Sequence, residues 1–151
     1  MRIRLMTRDD VEAVVRVWHT SGLKAYHFID LWRQLTLTEA RRVFHEHIAA
    51  ICEVWVAETD GEIVGFLARR GSYVDRLYIS PDHQRAGVGT ALLAHAVGCS
   101  PTGLELHTHQ KNAPARAFYE KHGFVAVRYG ISPPPENEPD VEYHWRPSGR
   151  D

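Results

Sequence analysis

Between Ile79 and Leu92 the chain reads Gln84-Arg85-Ala86-Gly87-Val88-Gly89-Thr90, with two glycines set just before an apolar run at helical spacing. Glycine lets a backbone come close to a ligand. The unpaired N–H groups of a helix start, with the positive end of its dipole, attract phosphate. Arg85 adds a cationic donor. A plain tight turn is the competing reading of the same residues. Two better-known phosphate loops do not fit. A P-loop ends in Gly-Lys-Ser/Thr, whereas Gly89 is followed by Thr90 and Ala91. The dinucleotide fingerprint needs a small residue three positions after Gly89, and that residue is Leu92.

Acid–base candidates lie on both sides of this loop. Upstream, alternation along Tyr73 to Ile79 predicts Tyr73, Asp75, Leu77 and Ile79 on one strand face. A carboxylate sharing a face with apolar residues is partly desolvated, which raises its pKa. Asp75 is thus a candidate base, or else a structural carboxylate bonded to backbone or arginine. The histidines raise a separate, metal reading: His107 and His109 form an i, i+2 pair that a strand would place on one face. His45 and His47 lie on a predicted helix, where such positions diverge and do not chelate. With no cysteine or third ligand at zinc spacing, no metal site is expected.

Downstream, Asn112 to Phe124 reads Asn-x-x-Ala-x-x-Phe-Tyr-x-x-x-Gly-Phe. Joined to Leu77-Tyr78-Ile79-x-Pro81-x-x-Gln84-Arg85-x-Gly87-x-Gly89, it closely resembles the GNAT superfamily of N-acetyltransferases over about Ile63 to Trp145. The resemblance implies acetyl-CoA as acyl donor. Its pantetheine arm would lie along the backbone of Leu77, Tyr78 and Ile79, and its pyrophosphate on the amides from Arg85 to Thr90, in the loop that Gln84 opens. Asn112 matches the family's cofactor-contacting Asn. Tyr119 matches the tyrosine that faces the thioester sulfur. Asp75 matches a strand position where many members carry an acidic base. Ala86 departs from the commoner Gly or Lys, without harm expected to amide binding.

Amine acetylation then needs a base, because an amine of pKa ~10.4 is neutral in only about one part in ~2500 at pH 7, an unfavourable ~4.6 kcal/mol. Tyr119, with a phenol's reference pKa near ~10, is matched to protonate the leaving thiolate. The stretch with Tyr26, His27, Phe28 and Trp32 falls where the family covers its acceptor, and its rings offer cation–π faces. Glu136, Glu138, Asp140 and Glu142 make a local negative field there. Together these predict a small cationic amine as acceptor, with a protein lysine or N-terminal amine as the alternative. A non-catalytic acyl-CoA-binding module is the rival from another class; it needs neither Tyr119 nor Asp75. Cys52 and Cys99 lie near helix ends, remote in sequence from these loops, so direct transfer in a ternary complex is expected rather than an acetyl-cysteine.

The elements that must position these groups come in the order β-α-α-β-β-β-α-β-α-β-β. Thr7 to Asp10 has capping-box spacing before a helix ended by Gly22. Leu23 to Leu37 reads as irregular, and Thr38 caps a helix with a stripe of Ala40, Phe44, Ile48 and Ile51. Asp60-Gly61 marks a hairpin. Asn112-Ala113-Pro114 opens a helix that Gly123 closes. Ser132 to Pro139, with four prolines, reads as an exposed loop. Helices alternate with strands only in the second half, so the expected class is α+β: a mixed, mostly antiparallel sheet with helices on both faces.

The 151 residues fit one domain, 1–151. A net charge of −1 gives no bulk positive field for nucleic acid. No apolar run approaches a membrane span and no signal segment opens the chain, so a cytoplasmic protein with reduced cysteines is expected. A homodimer is compatible with this sequence.

Overall fold

The computed structural model describes residues 1–147. Its elements are β1 (Arg2–Leu5), α1 (Val11–Ala25), α2 (Asp30–Gln34), α3 (Leu37–Phe44), β2 (Glu53–Thr59), β3 (Glu62–Arg70), β4 (Tyr73–Ile79), α4 (Val88–Cys99), β5 (Leu104–His109), α5 (Ala113–Lys121), β6 (Val125–Ile131) and β7 (Pro139–Trp145). The strands form one sheet in the order β1-β2-β3-β4-β5-β7-β6. Neighbours run antiparallel except β4 and β5, which are parallel. One core, with Val14, Trp18, Phe44 and Phe66, lies under α1 to α3. The other, with Leu92, Leu93, Leu106 and Tyr143, lies under α4 and α5. The α+β class and the helices on both faces are therefore as expected. Among the described residues no helix is long and apolar enough to cross a membrane.

The start of α1 follows the sequence signal. The Asp10 carboxylate accepts from the Thr7 N–H at 2.7 Å and from Arg4 at 2.7 and 3.0 Å. Its end does not. The helix runs on past Gly22 to Ala25. Gly22 is there for contact rather than termination: a Cβ would stand 2.2 Å from the Trp32 indole, so only glycine lets that ring seat on the helix.

Two further expectations need correction. Leu23 to Leu37 is not wholly irregular, since α2 occupies Asp30–Gln34. The cap of α3 is Thr36, not Thr38: Thr36 Oγ accepts from the Glu39 N–H at 3.1 Å, and Glu39 Oε1 accepts from the Thr36 N–H at 3.0 Å. Only Thr36 has a glutamate three residues on, which the capping box requires. A π-helical turn, His45–Ala49, then breaks the 3.6-residue period. Ile48 is fully buried, but Ile51 falls beyond the helix and is 58% exposed.

Candidate active site

The parallel pair β4/β5 is the weak seam of the sheet. The strands register only at Tyr73↔Glu105 and then part. Beyond Tyr73, the side of β4 that faces β5 has no strand to bond, while its other side stays paired to β3 as far as Ile79. A cleft of about 2060 Å³ fills the gap and reaches both faces of the sheet. That exceeds the roughly 300–1,000 Å³ usual for a small-ligand pocket, leaving room for a donor and an acceptor together.

The donor end is made of backbone. Gly87 takes the left-handed conformation (φ +83°) and caps α4. The first helical bond is Ala91 N–H to Gly87 O at 3.0 Å. The N–H groups of Val88, Gly89 and Thr90 therefore have no helical acceptor and form an anion cradle. A Cβ on Gly87 would meet nothing within 4 Å, so the space over the cradle is open. Arg85, exposed and at φ +68°, stands beside it. Gly89 serves packing instead: its Cα face rests on Phe118 of α5, 3.3 Å from where a Cβ would be. The Val88 side chain is core, and neither it nor Ala86 lines the cleft. Gln84 lines it while donating to Ile79 O at 3.2 Å, which ties the loop to the end of β4. An unpaired strand edge leading to an anion cradle fits the arm and pyrophosphate of an acyl-CoA, as the sequence resemblance implied for Leu77 to Thr90.

Asn112 and Tyr119 stand opposite, on α5. Asn112 caps the helix, its Oδ1 accepting from the Ala115 N–H at 3.2 Å, while its Nδ2 donates to the Tyr26 hydroxyl at 3.2 Å. The Tyr143 hydroxyl accepts from Arg116 at 3.0 Å and donates to Glu120 at 2.6 Å, pinning α5 to β7. Tyr119 is 8% exposed, and its side chain lines the cleft. Burial, with Tyr26 and Tyr73 nearby, pushes its phenol well above the ordinary tyrosine range. This departs from the simple match to a thiol expected above. A phenol so raised keeps its proton at neutral pH and remains a hydrogen-bond donor rather than a readily ionised acid.

Asp75 does not sit where alternation predicted. Ala68 opposes Arg76 and Arg69 opposes Val74, so β4 carries one extra residue there. This β-bulge breaks the period of two. Val74, Leu77 and Ile79 face the α4/α5 core, whereas Asp75 neighbours Cys52 on the α1–α3 side. The Asp75 oxygens pair with Arg70 at 3.0 Å and Arg76 at 3.1 Å. Burial, and then the Asp75 charge, push the Cys52 thiol up to about 11, so it is protonated and unreactive at neutral pH.

The acceptor end is made of side chains. Tyr26, buried, stacks on Trp32 with centroids 5.8 Å apart. Trp32 is 8% exposed and packs edge-on to Trp18, so most of it is core rather than an open cation–π face. Phe28 already carries a cation, Lys111 Nζ at 5.5 Å. His27 is exposed and bonded to Lys24 O at 3.2 Å.

The acidic loop is mostly neutralised from within. Glu136 bonds His109 at 2.7 Å, Glu138 faces Lys111 at 3.8 Å, and Glu142 pairs with Arg128 and, at 2.6 Å, with His144. Asp140 alone of the four makes no ion pair among the described residues. The loop is also less exposed than its prolines suggested, with Ser132 buried and its Oγ accepting from the Glu138 N–H at 2.9 Å. Sequence reasoning did not assign Tyr73, His107 or His109 to the cleft, although all three line it. The His-x-His spacing was the available signal, and it was read only as a potential metal pair.

Comparison with known proteins places this architecture. Residues 50–126 match the family model described as an acetyltransferase (GNAT) domain. The chain is 31% identical to the peptidyl-lysine N-acetyltransferase YjaB of Salmonella typhimurium, over 82% of this chain and 83% of that protein. It is 30% identical to the peptidyl-lysine N-acetyltransferase YiaC of Escherichia coli, over 83% and 84%. The solution structure of apo YjaB from Escherichia coli superposes with a TM-score of 0.81 at 26% identity, covering 95% of this chain and 96% of that one. The PaiA N-acetyltransferase of Thermoplasma acidophilum, solved with coenzyme A, shares the fold with a TM-score of 0.68 at 19% identity, over 97% and 100%. The splayed β4/β5 seam, the amide cradle and the sequence matches agree: the chain belongs to the GNAT family and is an acetyl-CoA-dependent N-acetyltransferase.

Proposed function

We propose that the acceptor is the ε-amine of a lysine held in a polypeptide, acetylated by direct attack within a ternary complex. The observation that carries this is the likeness, at 30–31% identity over about four fifths of the chain, to proteins named peptidyl-lysine N-acetyltransferases. The acceptor end of the cleft supports it: aromatic edges from Tyr26 and Phe28 and the Asp140 carboxylate suit an ammonium on a slender stem. The same groups suit a small cationic amine, which is the second reading.

When bound, acetyl-CoA supplies a thioester whose carbonyl carbon is open to a nucleophile. The amides of Val88 to Thr90 hold the pyrophosphate, and the free edge of β4 from Leu77 to Ile79 aligns the arm. The Tyr119 hydroxyl, still protonated because it is buried, donates to the sulfur as negative charge collects there. Asp75, each oxygen on a guanidinium, braces the bulge of β4 in this reading; as a base it would first have to give up those partners. Cys52, protonated and beside Asp75, is no acyl carrier.

The test is an acceptor screen with [14C]acetyl-CoA. A lysine-peptide library and a whole-cell protein extract are set against spermidine, amino acids and other small amines. Acetyl-lysine in peptides, with kcat/KM at least ~10-fold above any small amine, is expected. Turnover confined to small amines would overturn the polypeptide reading, and thioester binding without turnover on any amine would overturn catalysis itself.

A further inference from the structure

β5 turns His107 and His109 to the same side of the sheet, with Thr108 buried between them on the other. Their surroundings differ. His109 Nε2 bonds Glu136, its ring lies 4.6 Å from Tyr26 and 6.4 Å from Phe28, and its Nδ1 is shut off without a partner. That ring is a brace for the β6–β7 loop.

His107 is exposed. Its Nδ1 is hydrogen-bonded to the Tyr73 hydroxyl at 2.8 Å, and its Nε2 stands 3.7 Å from the Glu142 carboxylate. Tyr73 lies at the single β4/β5 register pair, where the cleft begins. Its phenol is near enough to Tyr119 to contribute to holding the Tyr119 proton on. A hydroxyl inside the cleft is thereby linked through one imidazole to solvent.

We propose that His107 is the proton acceptor of the reaction, reached from the acceptor amine through the Tyr73 hydroxyl. Imidazole is the side chain whose ordinary pKa, about 6.5, lets it take a proton near neutral pH and give it up again. The ammonium passes one proton to the Tyr73 oxygen as Tyr73 passes its own to His107 Nδ1. The freed nitrogen lone pair forms the C–N bond, the C–S bond breaks, and its electron pair leaves on sulfur. The second nitrogen proton goes to that sulfur, giving the thiol, while His107 releases the first to water. One proton appears in solution per acetyl group moved.

The charged and titratable groups around the pair are Glu142, His144 and Asp140 on β7, Arg128 on β6, Asp75 and Arg76 on β4, and Arg70, whose guanidinium lies 4.9 Å over the Tyr73 ring. Glu142 is the group placed to stabilise the imidazolium. The inference rests on amine acetylation and holds for a polypeptide or a small acceptor alike.

The test joins a titration to kinetics. Imidazole 15N signals of the ligand-free protein are followed from pH 5 to 9 in wild type, Tyr73→Phe and Glu142→Gln. Rates are measured from pH 6 to 10 with poly-L-lysine and, in parallel, spermidine. The His107 midpoint is expected to move in Tyr73→Phe and to fall in Glu142→Gln, since removing a carboxylate disfavours the imidazolium. His107→Gln is expected to lose ~100-fold in kcat/KM at pH 7, to recover steadily toward pH 10 as the amine ionises itself, and to keep the melting-temperature gain from acetyl-CoA. Tyr73→Phe should lose about 10-fold with the same recovery. A His107→Gln rate within ~3-fold of wild type with the same pH profile would overturn the proposal, as would a His107 midpoint indifferent to Tyr73→Phe. Wild type inactive on both acceptors would count against the acceptor reading instead, with the titration still deciding whether the pair is coupled.

Discussion

The two ends of the cleft are built from different materials. At the donor end the ligand-facing groups are main-chain: the free edge of β4 and the amides that Gly87 turns outward. At the acceptor end they are side chains that hold one another, Glu136 on His109, Lys111 over Phe28, Asn112 on the Tyr26 hydroxyl. A backbone site depends on local geometry and must be spelled with particular residues in a row. A side-chain site is assembled across the fold, as when Asn112 meets a residue 86 positions away, and its parts can be exchanged one at a time. The donor end should therefore fail completely under one substitution, and the acceptor end by degrees.

The largest effect is expected from Gly87→Val. At φ +83° a β-branched residue is strained by ~1–2 kcal/mol, and any relief turns the amides away from the pyrophosphate. The melting-temperature gain from acetyl-CoA should vanish and kcat/KM fall at least ~100-fold, while Trp32 fluorescence stays native. An undiminished gain would mean that the cradle holds no phosphate. Gly89→Val should add a packing defect against Phe118, seen as a lower melting temperature even without ligand.

Next comes Tyr119→Phe, at the junction of the two ends. The ring still packs on Phe124 and Tyr143, so acetyl-CoA affinity should hold within ~2-fold, while kcat drops ~10- to 100-fold. The pH profile carries the sharper test. Because burial raises this phenol, it stays protonated through the assay range, and no loss of rate from its ionisation should appear below pH ~10. An alkaline limb near pH 9 that disappears in Tyr119→Phe would show that the hydroxyl is an ordinary acid after all.

Gly22→Ala is smaller and falls on the other side. The new methyl displaces Trp32, and with it the stacked Tyr26. A cost of about 1–3 kcal/mol is expected, a fall of ~2–12 °C in melting temperature for a chain of this size. The acceptor KM should rise, and the acetyl-CoA shift should persist. Loss of that shift would mean that the ends are not independent.

The same division explains what could be read from the sequence. Gly87 and Gly123 take left-handed backbone conformations that other residues adopt poorly, and Asn112 caps α5 through its own side chain, so α4, α5 and the cradle were legible in place. The capping box of α1 was legible for a like reason, since its bonds close within three residues. Gly22 was misread because a glycine needed for the approach of Trp32 looks the same as one that ends a helix. Asp75 was misplaced because a bulge adds one residue to β4 without altering its composition. His107 and His109 were visible as a pair, but their partners Tyr73, Glu142 and Glu136 come from other elements, and no local pattern announces them.

The smallest effect concerns the acidic residues of the β6–β7 segment, where the sequence predicted a free negative field. Glu138 faces the exposed Lys111 at 3.8 Å, too long for a hydrogen bond and worth about 0–1 kcal/mol, and Glu142 is occupied by Arg128 and His144. Glu136 differs in its partner, a short hydrogen bond to the largely covered His109 ring at 2.7 Å. Burial works to raise its carboxyl, but the hydrogen bond and charge of His109, with smaller help from Ser132 and Arg76, together outweigh it, and the net shift is downward. A carboxyl lowered in the folded state stabilises the loop above its ordinary range near ~4.3, and that contribution is lost as pH falls through the folded value. The loop should therefore stay attached at neutral pH in wild type and loosen in Glu136→Gln. For Glu136→Gln, Glu138→Gln we expect an acceptor KM raised by no more than ~3-fold, nearly all of it from Glu136, and a salt dependence close to that of wild type. The check is acceptor kinetics for both single variants and the double variant at ~0.05 and ~0.5 M salt. A large rise from Glu138→Gln alone, disappearing at high salt, would restore the long-range field and make the acceptor end an electrostatic funnel rather than a set of mutually held side chains.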